Sequence, residues 1–392
     1  MRVLQLHNHH GSLGGAMEVL AHEAELLEGA GHEVHQLTVP AAEQMDASLV
    51  RQGLKAIWNL EFCREVEDGI RSFRPDVVHV HTPFPLMSPA VFRVSRSLGV
   101  PAVTTLHSYR YSCIAAICHR GGHECVDCIG KAVKTPGVRH RCYHDSLAGS
   151  AALTASLALH RSLGTFHRDV SRYLALTDFS KRLLIRDGIP ADKIVVKPNS
   201  VPDPGVREPD PAEQRYVFFA GRLMEIKGVR TMLDAWDRAQ HGDLELRIAG
   251  DGESRGLVEE RAAADPSIRF DGWIDEAAVY DQMGRADAVL VPSEWYEGGP
   301  LTAMRSLAVG TPVIASDLEN ICSAVLADDA GVAFRVGDAD SLAAAIEGVI
   351  KDPDGWRARR AAARASYDQR YSPAVDLPRL ERVYRDVVAA VS

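Results

Sequence analysis

The chain has 392 residues, too many for one ordinary core, so two domains are expected. Hydrophobic residues make up 46% and charged residues 25%, as in a globular enzyme, and a net charge of −9 sets aside nucleic acid as the main partner, since a duplex binder carries a basic excess. No apolar run reaches the ~18 residues of a transmembrane helix, and MRVLQLHNHH lacks the parts of a signal peptide, so a cytoplasmic protein is expected.

RVLQLHN, from Arg2 to Asn8, is an apolar run of strand length. The turn GSLGGAME follows, then an amphipathic helix to about Gly29 and a second strand, which together make a β-α-β unit. Ligands of open α/β sheets sit at such turns. Gly14 and Gly15 would let backbone approach one closely, although the spacing is not a dinucleotide fingerprint and a bare turn reads equally well. PDVVHVHT and PAVTTLHS are further parallel strands, with LMSPAVFRVSRSLGV as the helix between them. His107 follows the second of these, at a strand's carboxyl end, and is either structural or part of a site.

The segment CIAAICHRGGHECVDCIGKAVKTPGVRHRC holds five of the seven cysteines. Cys125 and Cys128 form a CxxC pair, Cys113 lies twelve residues before Cys125, and Cys142 lies fourteen after Cys128. Four thiolates in that pattern suit a tetrahedral, structural Zn²⁺. Cys118 is left over, His119, His123 and His140 are substitute ligands, and a loop of reduced thiols is the alternative. The run SLAGSAALTASLALHRSL, flanked by basic residues, is either a buried helix or a surface for peripheral membrane contact. RYLALTDFSKRLLIRDGIPADKIVVKPNSV then adds strand, helix and strand.

Three prolines and no apolar periodicity mark 203–214 as a linker. The pattern restarts in RYVFFAG and continues through LELRIAG, SIRFDGW, ADAVLVPS and TPVIAS, with helices between. Strands alternating with helices in both halves predict two doubly wound α/β domains, 1–202 with the cysteine-rich insertion 113–142, and 215–370. A last amphipathic helix lies in 371–392. In AGRLMEIKG, Arg222 and Lys227 are two cations at the carboxyl end of a strand, flanked by Gly221 and Gly228, which suits a diphosphate. In EWYEGGPLTAMRSLAVGTPVIAS, Pro300 suits the first helical position, and Leu301 and Thr302 offer backbone donors at the helix start. Glu297 just before it either accepts sugar hydroxyls or caps the helix. Arg305 is a cation where the helix start favours negative charge.

GG-x-x-E, GRLMEIKG, AGDGE and PSEWYEGGPLTAMRSLAVGTPVIAS, in that order over nearly the whole chain, resemble the retaining glycosyltransferases of the GT-B fold, family four. The resemblance implies two Rossmann-like domains facing a central cleft, the first on the acceptor side and the second holding the donor, with the last helix crossing back to the first. It implies that Gly14 and Gly15 lie beside the donor sugar and its phosphates, that His107 contacts the sugar, and that Arg222 and Lys227 clamp the leaving diphosphate. Trp273 and Ile274, with Gly250, would hold the nucleobase. Glu297 matches the first glutamate of an E-x7-E motif that holds sugar hydroxyls, and Arg305 departs from the second, whose carboxylate accepts ribose hydroxyls. A guanidinium cannot accept them, so it would pair with Glu297, point to solvent, or meet an extra anion on an unusual donor.

The implied reaction is sugar transfer from a nucleoside-diphosphate sugar to an acceptor hydroxyl, retaining anomeric configuration and using no metal for catalysis. The acceptor is a small molecule or a lipid-linked glycan. A non-catalytic GT-B partner subunit and a sugar-nucleotide epimerase are the alternatives.

Overall fold

The computed structural model describes residues 1–8, 15–40, 49–209, 214–325 and 329–391. The chain divides into two compact units. The first comprises Met1–Arg120, Glu124–Pro198 and the chain from Asp376 onward; the second comprises Gly121–His123 and Asn199–Val375.

In chain order the first unit begins with β1 (Arg2–Asn8), α1 (Gly15–Gly29), β2 (Glu33–Val39), α2 (Leu49–Ile57), α3 (Leu60–Phe73), β3 (Val77–Thr82), α4 (Ala90–Ser97) and β4 (Ala102–Thr105). The cysteine segment carries a small hairpin, β5 (His119–Arg120) and β6 (His123–Glu124), and a short helix α5 (Thr135–Arg139). Then come α6 (Leu147–Ser162), β7 (Arg172–Ala175), α7 (Asp178–Arg186) and β8 (Ile194–Val196). The large sheet has the order β2-β1-β3-β4-β7-β8, and its neighbours all pair in parallel. Parallel strands are covered on both faces, which explains their near-continuous apolar runs: Val77, Val78 and Val80 of β3 are wholly buried. The run SLAGSAALTASLALHRSL forms α6, and its Leu153 and Leu157 are buried in the core.

The second unit runs β9 (Tyr216–Ala220), α8 (Val229–Arg238), β10 (Glu245–Ala249), α9 (Arg255–Ala264), β11 (Ile268–Gly272), α10 (Glu276–Arg285), β12 (Ala288–Val291), α11 (Leu301–Ala308), β13 (Val313–Ser316), α12 (Glu319–Val325), β14 (Gly331–Phe334), α13 (Ala339–Lys351) and α14 (Pro353–Arg370). Its sheet, β11-β10-β9-β12-β13-β14, is also parallel. Both sheets reverse their strand order once, between β1 and β3 in the first and between β9 and β12 in the second. Those switch points are where an open α/β sheet leaves a crevice at its carboxyl edge.

Two expectations shift. Residues 203–209 are held by ion pairs within the second unit, from Asp203 to Arg364 and from Arg207 to Asp281, rather than forming a bare linker. Tyr367 also donates to the carbonyl of Val201 at 3.0 Å. The division therefore falls at 198/199, ahead of the proline-rich stretch. Pro300 precedes α11 as its cap, with ψ of 83°, and the helix starts at Leu301.

The last helix, α15 (Pro373–Ala389), returns to the first unit from Asp376. Leu380, Val383, Tyr384 and Val387 pack with Leu27 of α1 and with Val3, Val77, Val103 and Leu174 of four strands. Burying each such side chain stabilises by roughly 1.5–3 kcal/mol, so the helix is part of the core it covers.

Candidate active site

At the switch point of the second sheet, glycines let loop backbones touch. Gly250 has φ of 147°, and a Cβ there would lie 1.9 Å from the carbonyl oxygen of Gly221. Gly228 has φ of 72°, and its Cβ would lie 1.9 Å from the carbonyl of Pro292. Only glycine fits either position. The second contact pins the loop after β9 to the loop after β12, and the N–H of Glu294 donates to the carbonyl of Ile226 at 2.9 Å across the same seam.

That seam brings two predicted residues together. Lys227 Nζ lies 2.8 Å from Glu297 Oε1. Ser293 Oγ donates to the same carboxylate oxygen, and Asn320 Nδ2 donates to the Glu297 carbonyl. The Lys227 ammonium also stands 5.6 Å from the centre of the Trp295 ring. Glu297 is thus oriented by an ammonium and a hydroxyl. Arg222 is exposed at the end of β9. Thr302 Oγ1 donates to the carbonyl of Ala220 at 3.3 Å, tying α11 to that same strand end, and Leu301 is partly buried against the core. The turn after β11 leaves Trp273 74% exposed and tucks Ile274 against the core.

Arg305 reaches across to the next helix. Its Nη2 lies 2.9 Å from Glu276 Oε1 in the first turn of α10, and the guanidinium sits 5.8 Å from the Tyr280 ring. Its charge is met by Glu276, a partner that spacing along the chain does not reveal.

At the switch point of the first sheet stands a buried polar cluster. Gly15 opens α1, while Gly14 lies outside the described residues. About two turns further in, Glu23 points inward and is 3% exposed. His79 Nδ1 and His81 Nε2, both from β3, lie 2.9 and 3.1 Å from Glu23 Oε1. His81 Nδ1 meets His107 Nε2 at 3.0 Å, and the two rings stack with centroids 5.3 Å apart. His79 Nδ1 also lies 2.7 Å from the Tyr384 hydroxyl of α15, and its Nε2 meets Thr105 Oγ1 at 2.8 Å. Lys197 Nζ is 2.8 Å from Asp376 and 3.8 Å from Glu23.

Burial pushes His107 well below the ordinary imidazole value, with His81 and His7 adding to it, so the ring is neutral at pH 7. Burial likewise lowers His79 to about 4. Burial alone would raise Glu23, but His79 and His81 outweigh it and hold the carboxyl well below its usual range. For Lys197, burial is outweighed by Asp376 and Glu23, which raise it. Among the described residues, Glu23, His79 and His81 are the one set of three ligand-type side chains within 4.8 Å of one another. The ammonium of Lys197 beside them argues for a hydrogen-bonded ionic network rather than a cation site. Sequence reading singled out His107 alone. Glu23, His79, His81, Lys197 and Asp376 were missed, although a glutamate on the apolar face of α1 and two histidines inside an apolar strand are the signal of a buried polar site.

Cys113, Cys125, Cys128 and Cys142 line one small cavity with His119 and His140. The thiol of Cys113 hydrogen-bonds with Cys118, the residue that spacing left over, and this lowers it to about 6. Burial raises Cys128 to about 11. No three of the sulfurs lie within 4.8 Å of one another, whereas a tetrahedral thiolate set has edges of about 3.8 Å.

Two parallel, doubly wound α/β units, each with polar side chains at its own switch point, define a GT-B protein. Solved structures agree at the level of fold. Anabaena Alr3699/HepE in complex with UDP matches with a TM-score of 0.70 at 17% identity, over 98% of this chain and 100% of that one. Sucrose-phosphate synthase from Thermosynechococcus elongatus matches with a TM-score of 0.71 at 18% identity, over the whole of both chains. The family model for Glycosyltransferase Family 4 matches 13–203, and the model for Glycosyl transferases group 1 matches 214–352. The chain belongs to the group 1, family 4 glycosyltransferases. It is similar to the phosphatidyl-myo-inositol mannosyltransferase of Mycolicibacterium smegmatis, 27% identical over 96% of this chain and 91% of that protein. It is also similar to the glycogen synthase of Mycobacterium tuberculosis, 31% identical over 75% of this chain and 64% of that protein.

Proposed function

We propose that this glycosyltransferase moves a sugar from a nucleoside-diphosphate sugar to an acceptor hydroxyl with retention of anomeric configuration. The observation that carries the proposal is the Lys227–Glu297 pair, set on glycine-pinned backbone in the loop after β9, which also carries Arg222. Lys227 and Arg222 stabilise charge that grows on the leaving diphosphate, and Glu297 accepts hydroxyls of the donor sugar. The bond from the anomeric carbon to the phosphate oxygen breaks as the bond to the acceptor oxygen forms, and the acceptor's proton passes to the leaving phosphate. His107, kept neutral, contacts the transferring sugar. Two cations already on the diphosphate make a divalent ion unnecessary, so turnover should survive EDTA.

The relatives support sugar transfer to a lipid-linked or a glucan acceptor, since the two named above carry those activities in their names. The test is a donor screen with UDP-glucose and GDP-mannose, read as nucleotide release with and without acceptor, followed by NMR of the product's anomeric linkage. Release with neither donor, or an inverted linkage, would sink the proposal. The Arg305–Glu276 pair favours one second reading, a subunit that binds no donor, and titration calorimetry with the same two compounds separates the two.

The cysteine cavity is proposed to take a structural zinc ion that draws its thiols together. One zinc per chain by elemental analysis of protein purified without chelator is the expected result; none would end that proposal.

A further inference from the structure

The polar chain in the first unit has a direction. Gln36 Nε2 donates to Gln5 Oε1 at 2.9 Å, which turns the amide nitrogen of Gln5 onto Glu23 Oε1 at 3.0 Å. Lys197 Nζ faces the other oxygen of Glu23 at 3.8 Å. A carboxylate set between an amide N–H and an ammonium is ionised, and an ionised carboxylate only accepts. His81 Nε2, 3.1 Å from Oε1, must therefore carry a proton. A neutral His81 ring with its proton on Nε2 has Nδ1 as its acceptor, and His107 Nε2 at 3.0 Å then donates to it. This leaves Nδ1 as the acceptor of the His107 ring.

We infer that His81 holds a single proton, on Nε2 toward Glu23, and that Glu23 and His81 are thereby positioning residues that lock His107 as its Nε2–H tautomer, so that Nδ1 offers a hydrogen-bond acceptor to a substrate hydroxyl. The group recognised is a donor of a hydrogen bond, such as a sugar hydroxyl, and not a phosphate oxygen. The ring stack of His81 on His107, with planes 18° apart, fixes the orientation of the ring as the bond fixes its proton. The burial that keeps His107 uncharged acts in the same sense, because an imidazolium would have no acceptor nitrogen. Through Lys197 and Asp376 the lock reaches α15, whose Tyr384 hydroxyl touches the neighbouring His79. The consequence for substrate rests on the transferase reading above; the tautomer does not.

The test uses the full chain with ¹⁵N-labelled histidine at pH 8, read by two-bond proton–nitrogen correlation, with His107 assigned by comparison with His107→Gln. The wild-type spectrum should show a single Nε2–H pattern for His107. In His81→Leu the pattern should move to an average of both tautomers, and kcat/KM with the best nucleotide sugar should fall about tenfold, as for one lost orienting hydrogen bond. A wild-type Nδ1–H pattern, or an unmixed Nε2–H pattern in His81→Leu, overturns the lock. If His81→Leu does not fold, the wild-type spectrum decides. A locked Nε2–H ring in a protein that transfers no sugar would leave the lock standing and sink the reaction reading instead.

Discussion

Replacing Lys197 with Met keeps the length of the stem and deletes its charge. Lys197, Glu23 and Asp376 have side chains 3%, 4% and 5% exposed, so the variant removes a buried cation from beside two buried carboxylates. Breaking a buried pair in this way costs about 3–5 kcal/mol. Because Asp376 lies on α15, the loss should appear first as opening of that helix, and hydrogen exchange reports such opening directly. At 1.36 kcal/mol per power of ten, amides of 376–389 should exchange roughly two to four powers of ten faster at pH 7. The pH dependence follows from the two shifts. Glu23 is depressed in the folded chain, so its share of stability is present above its ordinary value of 4.5 and fades as pH falls through the lower folded value. Lys197 is raised, so its share is full below its ordinary 10.5 and fades only as pH rises through the higher folded value. Both windows lie outside pH 5–7, so the excess exchange in Lys197→Met should hold across that range. Amides of β10, in the second unit, serve as the control. Less than tenfold acceleration in 376–389 at pH 7, or equal acceleration in β10, refutes the reasoning.

Lys227→Ala and Glu297→Gln should each lower kcat by about a hundredfold or more in a nucleotide-release assay; activity within threefold of wild type would remove both from the site. Gly228→Ala should cost about 2 kcal/mol or more, because its φ of 72° disfavours a side chain and its Cβ would meet the Pro292 carbonyl. A urea midpoint equal to wild type contradicts that packing. Arg305→Glu replaces a donor with an acceptor and should tighten binding of UDP-glucose or GDP-mannose about tenfold by calorimetry. Its cost in stability should stay below about 1 kcal/mol, since Glu276 is more than half exposed. Unchanged or weaker binding counts against the role given to that position.

The strands were legible because a parallel strand buried on both faces needs an apolar run, and YVFFA and VVHVHT leave little else to read. Helix ends were less so, since Pro300 fits a first helical position and a cap almost equally. Lys227 and Glu297 could be named from their neighbours in sequence, but their 2.8 Å approach depends on Gly228 meeting Pro292, a contact between separate loops. The partner of Arg305 lies 29 residues away on another helix, and only the packing of α10 beside α11 brings it near. In the first unit the apolar run around His79 and His81 hid them, because an apolar strand reads as core whatever polar residues it contains. Glu23 falls on the face that buries Val19, Leu20 and Leu27, and that misplacement of charge was the clue to follow.

The path of the chain also says how this protein can be taken apart. Apart from three residues of the β5–β6 hairpin, the second unit is one uninterrupted stretch, 199–375, lodged inside a host whose two segments lie either side of it. Such a guest can be excised or exchanged as a cassette. Its host cannot be obtained by stopping translation at residue 198, because the sheet would then bare Val3, Val77, Val103 and Leu174 to water. A joined chain that links 198 directly to 376 is the smallest form of the host that keeps its own lining.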